Sequence, residues 1–179
     1  FPAWVLGRHL SWPLLQISHS TRLAEDFGGK LRDLLKEEEY RDIFPEVKLR
    51  SDTRAAGRWK LTKGAEYFAA GSGSHIAGFR ARLAVLDDVI SEQMATSKLE
   101  MQTVVNWYGP GLKTRLLPDG RIVLVNTRWS INDLAGFVLD NEKDEWEVVS
   151  FPALLDEEGR KLLGYPVGTS FWPEMWETE

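Results

Sequence analysis

The stretch RARLAVLDDVIS, residues 80–91, decides how the chain is read. Four apolar residues, Leu83 to Leu86, run straight into two adjacent acids, Asp87 and Asp88. An unbroken apolar run, in place of strict alternation, marks a strand covered on both faces. Two like charges at the end of such a strand are costly unless something positive meets them.

Outward from this strand, strand-like and helix-like segments alternate. Leu14–Ser18 is a short apolar run. Thr21–Lys36 places Leu23, Ala24, Phe27, Leu31, Leu34 and Leu35 at helical spacing, with Ser20 or Thr21 as its cap and Glu25 and Asp26 in its first turns. A short acidic helix over Glu37–Ile43 ends before Phe44-Pro45, because the residue before proline avoids helical dihedrals. Val47–Ser51 and Gly64–Gly71 read as strands joined by a loop or hairpin, and residues 71–78 (GSGSHIAG) are glycine-rich. Residues 92–117 are helical in character around Gly109-Pro110-Gly111, and Pro118-Asp119-Gly120 reads as a turn. Arg121–Asn126 (RIVLVN) is a second buried-type strand, Ile131–Asn141 a short amphipathic helix and Trp146–Phe151 a last strand. Strand–helix alternation of this kind predicts an α/β protein with a mostly parallel sheet flanked by helices.

Composition bounds the chemistry. The 179 residues, 43% hydrophobic and 27% charged, suit one domain with a sizeable core. Without cysteine there are no disulfides, thiolate nucleophiles or Cys-ligated zinc sites. His9, His19 and His75 lack the spacing of a metal–imidazole site. A net charge of −5 argues against a broad polyanion-binding face, so any nucleic-acid contact is local or made by a ring of copies. No run of about 18 apolar residues exists to span a membrane. The N-terminus lacks the basic region and small-residue site of a signal peptide. It also lacks an initiator Met, as expected for a piece of a longer chain. The eight tryptophans are scattered, which suits core filling.

Two explanations fit Asp87 and Asp88. In open parallel sheets, ligands sit beyond the carboxyl ends of the strands. Asp87 can hold a magnesium ion through its water shell and Asp88 can orient a hydrolytic water, the Walker B arrangement of a P-loop NTPase. Alternatively, the strand simply leaves the core and Asp88 caps the next helix. A second constellation, Thr127-Arg128-Trp129, follows RIVLVN. A hydroxyl there can reach the γ-phosphate or the attacking water, and an arginine can neutralise transition-state charge; a turn-capping hydroxyl and a solvated surface charge fit as well. The string G-x-x-x-x-G-K-S/T is absent, as are G-x-G-x-x-G and G-x-S-x-G. The acid clusters at 37–39, 140–145 and 156–158 read as solvated faces.

With these residues in hand, the chain resembles the ATPase domain of the large terminase subunit of tailed bacteriophages and prophages. LLQISHSTRLAEDFGGKLRDLLKEEEYRDIFPEVKL is similar to the segment after the P-loop helix in that family. SDTRAAGRWKLTKGAEYFAAGSGSHIAGFRARLAVLDD is similar to its hairpin, glycine-rich loop and Walker B strand. GLKTRLLPDGRIVLVNTRWSINDLAGFVL is similar to its helix, strand and coupling motif, and WEVVSFPALLDEEG with SFWPEMW to the last strand and the start of the linker. The resemblance implies an additional-strand (ASCE-type) P-loop NTPase fold with an inserted β-hairpin, truncated before the P-loop. Residues 1–170 would be a partial ATPase domain and 171–179 the start of a linker toward a nuclease domain. It further implies Mg²⁺ and ATP as cofactors, a ring of copies on a portal protein, a small terminase subunit and double-stranded viral DNA as partners, and the cytoplasm of the bacterial host as location.

By position, the resemblance makes Asp87 the magnesium carboxylate and Asp88 the catalytic acid. Thr127 falls in the coupling motif with Arg128 beside it, and Arg80 is the substitute for a trans-acting arginine. The chain departs from the family at Ala77-Gly78-Phe79-Arg80, where relatives read Thr-Gly-Arg-Gly, and at Ser130-Ile131-Asn132-Asp133, where they often read His-Glu-Asp-Asp. The family's strand order runs 14–18, 83–87, 121–126, a gap, then 146–150, so one flank of 121–126 is expected to be unpaired. Lacking the phosphate loop, the chain alone is expected to be inactive. A catalytically silent prophage remnant or a non-enzymatic interaction module is the alternative.

Overall fold

The computed structural model describes residues 1–52, 55–149 and 152–176. The chain divides into two compact units, Phe1–Asn141 and Glu142–Glu179. In chain order the elements are α1 (Pro2–Arg8), β1 (Leu14–Ser18), α2 (Thr21–Leu34), α3 (Glu38–Ile43), β2 (Arg58–Lys60), β3 (Glu66–Gly71), β4 (Ala81–Asp87), α4 (Glu92–Ala95), α5 (Lys98–Trp107), β5 (Leu116–Val125), α6 (Leu134–Asn141) and α7 (Glu157–Leu163). Among the described residues, no helix is long and apolar enough to cross a membrane.

The first unit is α/β, built on a five-stranded sheet of order β2-β3-β1-β4-β5. β3, β1, β4 and β5 run parallel, and only β2 is antiparallel, forming a hairpin with β3. β1, the short apolar run, and β4, the continuous one, lie side by side in the interior, with Leu14 opposite Leu83 and Ile17 opposite Leu86. All five residues of β1 are buried, as a strand with neighbours on both edges and cover on both faces requires.

α2 covers one face of this sheet. Ser20 caps it, its Oγ accepting from Leu23 N–H at 3.3 Å. Ala24, Leu31 and Leu35 share a buried cluster with Leu14, Tyr67, Ala69, Leu83 and Val85, which alternation places on one side of the strands. Trp59 and Tyr67 stack in that layer with ring centroids 4.8 Å apart, and the Tyr67 hydroxyl donates to Ala24 O at 3.2 Å. Alternate residues Leu15, Ile17, Ala84 and Leu86 are buried on the opposite side.

Five local expectations are corrected. The helical stretch after residue 92 stops before Leu116: α5 passes into a π turn over Tyr108–Leu112 and a 3-10 turn over Lys113–Arg115, and β5 then begins. Pro118-Asp119-Gly120 lies within β5 rather than between elements. Ala81 pairs with Leu116 and Leu83 with Arg121, so Leu117–Gly120 bulge opposite Arg82 alone, and Asp119 forms an ion pair with Arg82. Val47–Ser51 makes one isolated bridge, Leu49 to Leu61, flanked by Arg50 N–H donating to Lys60 O at 2.9 Å and Thr62 N–H donating to Lys48 O at 2.8 Å, and forms no named strand. Residues 146–149 form no strand, and Ser150 and Phe151 lie outside the described residues. Val148 and Val149 are 55% and 68% exposed, so that segment has neither the pairing nor the cover a strand needs. Among the described residues β5 has one sheet neighbour, β4, and none of its residues is fully buried, so RIVLVN is an edge strand rather than the buried-type strand its apolar run suggests.

Candidate functional site at the carboxyl edge of the sheet

After β1 the chain crosses toward β3 on one side; after β4 it crosses to β5 on the other. β1 and β4 are therefore adjacent strands whose connections diverge, the place where an open parallel sheet forms a crevice beyond its carboxyl ends. Ser18, Asp87 and Val125 end the three strands β1, β4 and β5, and Asp88 lies one residue further on.

Asp88 ties these strand ends together. Its N–H donates to Val125 O at 3.0 Å and its carbonyl accepts from His19 N–H at 2.9 Å. Its Oδ1 accepts from Thr127 N–H at 3.3 Å. To do this the backbone adopts φ of 47°, the one left-handed non-glycine residue among those described, a conformation that Asp tolerates better than most residues. Asp88 does not cap the next helix: Ser91 does, accepting from Met94 N–H at 3.2 Å. The carboxylate is exposed beyond the strand ends.

Asp87 is half-buried. Burial pushes its carboxyl above the ordinary aspartate range, and the neighbouring Asp88 charge adds to the effect. Its environment thus disfavours the second negative charge. Among the described residues, no group of three or more His, Asp or Glu side chains gathers as a metal-binding cluster. A cation at this edge would rest on these two carboxylates, on water and on groups of its own ligand.

Thr127 is brought to Asp88, and the others are not. Arg128 Nε donates to Asp133 Oδ2 at 3.1 Å, and its Nη2 donates to Ser130 O at 3.2 Å. Asp133 is fully buried and also accepts from Gly136 N–H at 2.8 Å, which caps α6. Arg128 therefore fixes the turn between Thr127 and α6. Arg80 precedes β4, so it lies at the other end of that strand, about 20 Å from Asp87 by strand rise; its Nη1 donates to Thr114 O at 3.1 Å.

Sequence patterns passed over several polar residues at this edge. Ser18 Oγ, Ser72 Oγ and Asn126 Oδ1 are buried without a hydrogen-bond partner. Their signal was position alone: each ends or directly follows a parallel strand. Asp133 could have been found by its spacing to Gly136, that of an N-cap. Elsewhere, a depression of about 180 Å³ lined by Gly7, Phe44, Pro45 and Val47 offers few convergent polar groups of the kind that orient a ligand. No protein-family model matches the chain, and no curated protein matches it.

Proposed function

We propose that the carboxyl edge of the sheet is the magnesium–nucleotide end of a viral DNA-packaging motor. It would couple Mg-ATP hydrolysis to translocation of double-stranded DNA into a capsid, as the resemblance to large terminase subunits implies. The observation that carries the proposal is a pair of vicinal aspartates at the end of an interior parallel strand, with Asp88 bonded to Thr127 at the end of the next. The strand order β1-β4-β5 supports an additional-strand P-loop topology, because it is the order that resemblance implies for those segments. A ring of copies on a portal, a small terminase subunit and the bacterial host cytoplasm belong to the same proposal.

The donor set suits magnesium, which keeps several waters and takes one or two carboxylates together with phosphate oxygens. Asp87 would hold the ion, and when bound the ion would neutralise phosphate charge. Asp88 would orient the attacking water and accept its proton at a carboxylate oxygen as the bond to the leaving ADP oxygen breaks. Thr127 would stand on the γ-phosphate side. Arg128, held by Asp133, would keep Thr127 in place, and Arg80 could reach only a neighbouring subunit's site.

The isolated chain is expected to turn over no ATP, because its sequence contains no phosphate-cradling loop. In a polypeptide that also carries a Walker A segment, turnover is expected. There Asp88→Asn should abolish it while leaving nucleotide binding, since asparagine also accepts the left-handed backbone. Asp87→Ala should weaken Mg-nucleotide affinity as well. Undiminished turnover in Asp88→Asn would remove the catalytic assignment, and no turnover in the unmutated polypeptide would favour the interaction module.

A further inference from the structure

Ser18 is fully buried at the end of β1, and its hydroxyl bonds to nothing. A buried hydroxyl without a partner keeps its whole desolvation penalty. Among the described residues, the buried oxygen atoms in this condition are Ser18 Oγ, Ser72 Oγ and Asn126 Oδ1, and all three lie at the carboxyl edge. Buried nitrogens without a partner, such as Trp59 Nε1 and Arg82 Nε, lie elsewhere in the sheet.

The register shows what Ser18 stands beside. Ile17 pairs with Leu86, so the next pair is Ser18 and Asp87. Side chains at one level of neighbouring parallel strands project to the same face. Ser18 Oγ and the Asp87 carboxylate therefore share a face across the β1–β4 crevice. Ser72 follows β3, one residue past the Ser18–Gly71 pair, and its N–H donates to Ser18 O at 2.8 Å, which holds its backbone at the same edge.

The chemistry of the missing partner follows from these atoms. Carboxylates only accept hydrogen bonds. The Asn126 amide already donates through Nδ2 to Thr127 O at 2.8 Å, which leaves Oδ1 as an acceptor. Asn126 lies one residue past the Asp87–Val125 pair, so the oxygens on the crevice face itself are those of Ser18 and Asp87, and they suit a ligand that presents O–H donors and carries positive charge. An anion would add to the repulsion between Asp87 and Asp88. A hydrated divalent cation supplies both donors and charge.

We propose that Ser18 is a positioning residue whose buried Oγ holds a water of the hydrated divalent cation carried by Asp87. This rests on Asp87 being the cation's carboxylate, as proposed above.

The test is a Mn²⁺ titration of the whole chain without nucleotide. It is read by paramagnetic broadening of backbone amide resonances and by the Mn²⁺-dependent rise in melting temperature over that in EDTA. Wild type should broaden at Ser18, His19, Asp87, Asp88 and Thr127, and Asp87→Ala should not. Ser18→Ala should bind Mn²⁺ roughly tenfold more weakly with an unchanged or higher melting temperature in EDTA, because it removes an unbonded oxygen from the interior. Ser18→Cys, with similar volume and a weaker acceptor, should fall between the two. Wild-type affinity in Ser18→Ala, alongside loss in Asp87→Ala, overturns the assignment of Ser18 alone. A melting temperature lowered equally with and without Mn²⁺ makes the hydroxyl merely structural and overturns it too. No Mn²⁺ effect on the wild type overturns both Ser18 and Asp87 as cation-site residues.

Discussion

At the scale of single residues, Asp87 works against the fold that holds it. Burial, and then the charge of Asp88, keep its carboxyl above its ordinary range. The folded chain therefore holds a proton that the unfolded chain has released, over the interval between the two pKa values. Stability falls as pH rises through that interval and is lower above it. Asp87→Asn removes the charge while keeping the shape. Its melting temperature in EDTA should exceed that of the wild type at neutral pH, and the gap should close on acidification below the ordinary aspartate range. A pH series of thermal melts checks this; a gap that widens toward acid pH would contradict the sign. The cost is of the kind a functional site carries, because a counter-charge supplied by a ligand would reverse it.

At the scale of elements, Gly28 lets α2 lie close against β3. A Cβ there would come within 2.6 Å of Tyr67 Cε1 and would also meet the carbonyl oxygen of Ala56. Neither neighbour yields easily: Tyr67 is buried and stacked on Trp59, and Ala56 offers backbone. Alanine is the better helix former by about 1 kcal/mol, while overpacking costs roughly 1–3 kcal/mol. Gly28→Ala should therefore lower unfolding free energy, by up to about 2 kcal/mol, in a urea titration, although on propensity alone it should stabilise. A gain in stability would show that α2 rides further from the sheet. The β5 bulge solves a related problem: residues 117–120 loop out over Arg82, and the strand regains register at Arg121, so that Val125 arrives level with Asp87.

At the scale of the whole molecule, no strand among the described residues pairs with the outer flank of β5. Val125 at the end of that strand is 55% exposed. An unpaired edge presents a row of amide and carbonyl groups that another chain can pair with. The chain is expected to associate in a concentration-dependent way, and Val125→Lys, a charge at the edge, should shift sedimentation toward the monomer. Equal association of the two would place the contact elsewhere. The second unit has its own organisation. Asp156 caps α7, accepting from Gly159 N–H at 2.8 Å, and Gly164 ends it in the left-handed conformation. A bridge joins Leu154 to Ser170. Leu155 is buried in this unit, whereas Leu162, Trp172, Met175 and Trp176 are more than half exposed.

What the sequence by itself determined were features written in local physics. The continuous apolar run LAVL became an interior parallel strand because nothing but burial on both faces suits it, whereas RIVLV, read the same way, became an edge strand with no residue fully buried. Ser20 became the cap of α2 because a side-chain oxygen before a periodic apolar stretch satisfies an otherwise free amide. The acids at 87 and 88 lay at a carboxyl edge because they followed such a strand. Tertiary structure decided whatever depended on a partner distant in the chain. WEVV is a plausible strand by composition, yet it forms none, since pairing requires a neighbour. Asp88 looks like a helix cap in the sequence, yet its carboxylate accepts from Thr127 N–H, 39 residues on. The buried, unbonded oxygen of Ser18 has no sequence signature at all: it exists only where β1 lies against β4, because burial and register are properties of the assembled sheet.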